Sequence, residues 1–214
     1  MAVERIVGIA GVLFERKLRR PLTQDLEPDD MGSHALKWLP AVILAVYATV
    51  VEDEELSSLG VRWDGPEPLL KRVAVGLAVL LGANVVLEPL HERLGIDDLE
   101  AGIAAYEETS IPERLFVALT AGVTEEVLYR GYLLERLETE TDSRLLAAVG
   151  STLAFVLAHK GDQWDWGSLP LIAQPAALLT LFYLRTRDLL AAIAIHALDD
   201  VVGLLALERV LDDE

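Results

Sequence analysis

Cysteine is absent from the 214 residues, which removes disulfides, thiolate nucleophiles and Cys-type zinc sites at once. Positive charge is scarce: 18 Lys and Arg stand against 35 Asp and Glu, a formal net charge of −17. That excess excludes nucleic acid as a partner, because the phosphate backbone would be repelled. It also disfavours docking on anionic lipid headgroups, apart from the basic segment 16–20. Long uncharged apolar runs are few as well. Only Trp166–Leu184 runs 19 residues without a formal charge, close to the ~20 that a bilayer core demands.

What is present is charge kept apart from apolar sequence. The chain is 52% hydrophobic and 25% charged, with a mean hydropathy of +0.35. Acid is gathered into DLEPDD (25–30), EDEE (52–55), GIDDLE (95–100), YEE (106–108), ERLETETD (135–142) and the DDE tail. Surfaces of this kind suit solvent of very high ionic strength, where carboxylate repulsion is screened within a few ångströms. A salt-accumulating host is the corresponding expectation.

Six apolar blocks lie between the acidic runs, at about 36–51, 69–90, 111–134, 145–159, 166–184 and 189–207. They are rich in Leu and Ala, lack sustained two-residue alternation and are bounded by Pro, Gly and acidic turns, so they read as helices. Ser110 followed by Pro112 marks a helix start. Lys37, Lys71 and Arg72 can snorkel and Trp38 can sit at an interface, lengthening the two shorter N-terminal blocks. Six such blocks in 214 residues would overfill a soluble core. The fold expected is all-α: a polytopic transmembrane helical bundle of about six membrane helices, placed in the cell membrane with lipid as a partner. Ile6–Phe14 precedes the basic cluster Arg16, Lys17, Arg19 and Arg20, the reverse of a signal peptide. It reads as an interfacial helix with its basic cluster on the cytoplasmic side.

Three of the apolar blocks carry ionisable groups where a lipid-facing helix should carry none. They are Glu125, Glu126 and Arg130 in TAGVTEEVLYRGYLL, His159 in LLAAVGSTLAFVLAH, and His196, Asp199 and Asp200 in LLAAIAIHALDDVVGLLAL. Charge in hydrocarbon is costly, so such residues turn inward, pair and serve a purpose. Glu126 and Arg130 are four apart with the acid N-terminal, the better orientation for a pair. Glu125 lies about 100° round the helix and can face another target. Adjacent carboxylates with one partner give one structural acid and one poised base; the plainer reading is a salt-bridged helix end at the water surface. Phe155 and His159 share a face, below Gly150 and Ser151, which allow close helix approach. His196 and Asp200 share another face, with Asp199 as a rival neighbour.

EEVLYR at 125–130, FVLAH at 155–159 and HALDD at 196–200 together resemble the three signatures of the CPBP family of intramembrane proteases. That family includes CAAX prenyl endopeptidases of the Rce1 type and bacteriocin-immunity relatives. Its pattern is Glu-Glu-x-x-x-Arg, then Phe-x-x-x-His, then His-x-x-x-Asn or Asp. The resemblance covers about 111–207, following an N-terminal region 1–110 with an amphipathic segment and two membrane helices; 208–214 is an acidic tail. It implies an intramembrane endopeptidase acting on membrane-associated peptide or protein substrates, of which prenylated CAAX-type chains are one class. By resemblance, Glu125 and His159 activate the attacking water, His196 and Asp200 stabilise the oxyanion, and Glu126 and Arg130 hold the site together. Asp200 donates a hydrogen bond only when protonated, whereas the family's Asn always can, so orienting His196 is its other role.

Two readings of the cofactor stand. Glu125, His159 and His196 would make a three-ligand zinc site with water in fourth position, or the same residues would serve a metal-free, glutamate-activated water. His-Glu-x-x-His is absent and does not decide between them. Three other functions compete. A non-catalytic immunity or scaffolding protein would be free to lose His159 or Glu125. A proton-coupled transporter calls for an inverted repeat, and no internal repeat is seen. A soluble di-metal bundle calls for Glu-x-x-His pairs, and neither His159 nor His196 is so preceded.

Overall fold

The computed structural model describes residues 2–15, 31–94, 106, 109–160 and 166–212, with side chains left out for Ala2 and 206–212. The basic cluster Arg16–Arg20, the acidic runs 25–30 and 95–100, Glu107 and Glu108, and the side chains of the acidic tail lie outside these residues.

Among the described residues every regular element is helical. The chain runs α1 (Ala2–Leu13), α2 (Met31–Leu36), α3 (Trp38–Val50), a 3₁₀ turn (Leu56–Leu59), α4 (Pro66–Arg93) and α5 (Ile111–Glu126). A π-helical stretch (Val127–Leu134) follows, then α6 (Glu135–Thr141), α7 (Arg144–His159), α8 (Leu169–Thr186) and α9 (Leu189–Asp212). The Ser110 start signal works as a capping box. Its N–H and its hydroxyl both donate to Glu113 Oε2, at 2.8 and 2.7 Å, satisfying donors that a helix start leaves unpaired.

The bundle is sorted by charge. Among the described residues three helical segments are long and apolar enough to cross a membrane: Met31–Val50, Pro66–Arg93 and Leu169–Thr186. α4 is the outermost, with only 11% of its most apolar window buried. It presents Val75, Val79, Val85 and Val86 outward, all more than half exposed, a surface suited to hydrocarbon rather than water. α5 and α9, which carry Glu125, Glu126, His196 and Asp200 within apolar sequence, pack against one another, and α7 and α8 flank them. Burial therefore follows need, because the apolar helices tolerate lipid and the charged ones cannot.

Several details depart from the sequence reading. The block 111–134 is not one uniform α-helix: it passes into the π-helical stretch immediately after Glu126. A π turn is rare and is kept where neighbours hold it. Here Ser151 Oγ donates to Tyr129 O at 2.7 Å, and Gly131 lies so close to Leu59 O that an added Cβ would be 3.2 Å from it. Glu52, read as part of a solvated acidic turn, is 4% exposed. It accepts from Arg136 Nε at 2.7 Å and from the Tyr132 hydroxyl, tying the connection after α3 to the π stretch. Lys71 and Arg72, expected to snorkel, pair with acids instead: Lys71 with Glu67 at 2.7 Å, Arg72 with Asp64 and with the fully buried Asp188. Trp38 is not an interfacial anchor alone, because its Nε1 donates to Thr120 Oγ1 on α5 at 3.0 Å.

Candidate active site

The last turn of α5 supplies two adjacent carboxylates, and their surroundings differ sharply. Glu126 is fully buried and committed. Its Oε1 accepts from Arg130 Nη1 at 2.6 Å and faces His196 Nδ1 at 2.7 Å. Arg130, also fully buried, sends its Nη2 to Ala176 O on α8 at 2.9 Å and stacks its guanidinium 4.6 Å over the Phe155 ring. One arginine thereby links α5, α7 and α8, a use that depends on its planar fork.

Glu125 is the available acid. Its side chain keeps 14% exposure, and neither of its histidine neighbours is at direct hydrogen-bonding distance: Oε2 is 3.6 Å from His159 Nε2 and 4.0 Å from His196 Nε2. Contacts of that length suit a shared small molecule between the groups better than a direct bond.

The histidines are aimed by their other nitrogens. His159 Nδ1 lies 2.9 Å from Phe155 O. A carbonyl can only accept, so Nδ1 carries a proton and Nε2 is the nitrogen turned toward Glu125. The Phe155 ring supports the imidazole at a centroid distance of 4.6 Å. His196 donates Nδ1–H to Glu126, which leaves its Nε2 facing Glu125 and Asp200 Oδ2, the latter at 3.7 Å. The rivalry between the two aspartates has a geometric answer. Asp200 shares the face of His196, while Asp199 turns away and accepts from Asn84 Nδ2 at 3.4 Å.

The structure thus brings Glu125, Glu126, Arg130, His159, His196 and Asp200 into one cluster from α5, the π stretch, α7 and α9. Close helix approach makes this possible. At Gly122, one turn before Glu126, an added Cβ would lie 2.8 Å from both the Cβ and the backbone nitrogen of Ala197. No periodicity argument singles out that glycine. Asn84 also escaped the sequence reading, although a lone amide in the apolar run 73–87 was the available signal. Its Oδ1 accepts from Gln174 Nε2 at 2.6 Å, so a polar chain leads from Asp199 across α4 to α8.

Among the described residues no group of three or more His, Asp or Glu side chains is arranged to hold a metal ion. The donors as they stand do not form a ready three-ligand cage, and no step below passes through a metal. What they do form is a largely buried carboxylate facing two imidazoles, with a charge-paired acid behind it. That arrangement can hold and deprotonate a water molecule, and can place a donor opposite it.

Residues 107–202 match the family model described as type II CAAX prenyl endopeptidase Rce1-like, a span that includes all six clustered residues. No curated protein and no solved structure matches the chain.

Proposed function

From the match of residues 107–202 to the Rce1-like family model and the geometry of the cluster, we propose an intramembrane endopeptidase that hydrolyses a membrane-associated peptide with a glutamate-activated water. The observation that carries this reading is the contrast between the adjacent glutamates: Glu126 is locked to Arg130 and His196, and Glu125 Oε2 faces two imidazole nitrogens beyond direct bonding distance. Water bound there donates one proton to Glu125 and presents its lone pair to the scissile carbonyl. His159 Nε2 accepts a hydrogen bond from the second O–H of that water and fixes the angle of attack. As the carbonyl oxygen gains charge, His196 in its doubly protonated form donates to it from Nε2. Asp200 orients that imidazole. Glu125 then passes its proton to the departing amine, and the remaining proton of the new carboxylic acid passes through His159 Nε2 to that amine, which leaves a carboxylate and an ammonium group.

The substrate class proposed is a peptide anchored by lipid, with a prenylated C-terminal cysteine region as the first to try. The test is cleavage of a panel of prenylated and membrane-spanning peptides by detergent-purified protein in concentrated salt, wild type beside Glu125→Gln and His159→Ala. Cleavage by wild type with at least ~10²-fold loss in each variant supports the assignment. Full cleavage by both variants overturns the site. Cleavage by none of the proteins favours a non-catalytic immunity or scaffolding role on the same fold. Zinc on Glu125, His159 and His196 is a distinct proposal: stoichiometric zinc in active protein, lost with activity on chelation and restored by zinc, would replace the metal-free route.

A further inference from the structure

The cluster is short of mobile positive charge. Glu125, Glu126 and Asp200 lie together, and the one guanidinium among the clustered residues, Arg130, is fully buried with both terminal nitrogens engaged. Arg130 cannot reach a substrate atom. Hydrolysis nevertheless moves negative charge from the attacking oxygen to the former carbonyl oxygen, and leaves a fourth carboxylate in the same place. Low-dielectric surroundings make that repulsion large. Beyond the His196 ring, which Glu126 already holds, a second cation that is near and unspent would offset that charge.

Lys37 has those properties. It sits at the junction of α2 and α3, and the adjacent Trp38 is fixed to Thr120 on α5 by the 3.0 Å bond described above. Thr120 precedes Glu125 by five residues, about 7.5 Å along the helix axis, a span that a flexible four-carbon side chain can largely cover. Lys37 is partly buried, and its charge bears on both Glu125 and Asp200, the two carboxylates that face His196 Nε2. Yet among the described residues no ion pair or side-chain hydrogen bond engages its ammonium. A lysine kept only for stability beside two carboxylates would close on one of them.

We propose that Lys37 is a further catalytic residue of this site, the cation that meets the developing oxyanion of the scissile carbonyl from the N-terminal half of the chain. The inference rests on the hydrolytic reading above. It also explains why the N-terminal helices, outside the matched span, pack on α5 at this level: they bring the positive charge that the motif-bearing half does not supply in mobile form.

The test uses full-length protein in detergent with an internally quenched, farnesylated peptide, and compares Lys37→Gln, Lys37→Arg and Glu125→Gln with wild type. Lys37→Gln is expected to lower kcat by roughly a hundredfold, the scale of losing one oxyanion donor, with KM within about threefold. Lys37→Arg is expected to recover most of the loss. An unchanged kcat in Lys37→Gln overturns the proposal. So does a rise in KM alone, which would make Lys37 a binding site for a substrate anion. Equal losses in both Lys37 variants, accompanied by a fall in thermal midpoint, would make its role structural. Glu125→Gln separates the two layers: if it cleaves at the wild-type rate, the hydrolytic reading itself fails, whatever Lys37 does.

Discussion

Replacing Gly122 by alanine tests whether the site depends on the close approach of α5 and α9. The new methyl would lie 2.8 Å from the Cβ and the nitrogen of Ala197 and 3.0 Å from its Cα. Carbon atoms prefer about 3.5–4.0 Å, so the deficit is close to 1 Å. None of the opposing atoms is the end of a flexible side chain, and no rotamer change relieves the clash. The helices must separate locally. Overpacking of this type costs about 1–3 kcal/mol, which a thermal melt of the detergent-solubilised protein would read. The effect on catalysis should be larger, because His196 is the neighbour of Ala197. Moving its ring by ~1 Å would stretch the 2.7 Å contact with Glu126 Oε1 beyond hydrogen-bonding range. A displacement of that size costs on the order of 10²-fold in rate. Gly203→Ala is the control. It lies on the same α9, its added Cβ meets nothing within 4 Å, and helix propensity alone predicts a gain of up to ~1 kcal/mol. Wild-type melting and wild-type turnover in Gly122→Ala would refute the argument, since the helix contact would then be compliant.

Two further outcomes follow from the charges. Arg130→Met leaves Glu126 fully buried with His196 as its one remaining partner, so a loss of about 3–5 kcal/mol is expected by chemical denaturation. Arg130→Lys should recover little, because one ammonium cannot serve both Glu126 and Ala176 O; a fully stable lysine variant would count against the linking role. The net charge of −17 predicts a thermal midpoint that rises as potassium chloride is taken from about 0.1 M to the molar range, where the screening length falls to about 3 Å. A flat or falling midpoint would remove the salt-adaptation reading.

The ionisable residues of the site were legible in the sequence because hydrophobic surroundings give charge its meaning. Glu125, His159 and Asp200 stand out only against neighbours such as Val127, Leu157 and Val201, and the i, i+4 spacing of Glu126 with Arg130 and of His196 with Asp200 already placed each pair on one face. Helical periodicity gave the bundle by the same logic, and Ser110 with Pro112 gave the start of α5. What the spacing did not contain was any quantity set by two elements meeting. The π stretch 127–134 carries no local signature in VLYRGYLL, and it is held by Ser151, which lies on another helix. Gly122 looks like any small residue until Ala197 is opposite it. Glu52 reads as one acid among four in EDEE until Tyr132 and Arg136 enclose it. Lys37 is the sharpest case, because a lysine beside a tryptophan at the end of an apolar block reads as a snorkelling anchor. The hydrogen bond from Trp38 to Thr120 turns that reading inward. Where a charge ends up in this bundle is decided by the helix it is fastened to, and that is a property of the packing rather than of the run of residues around it.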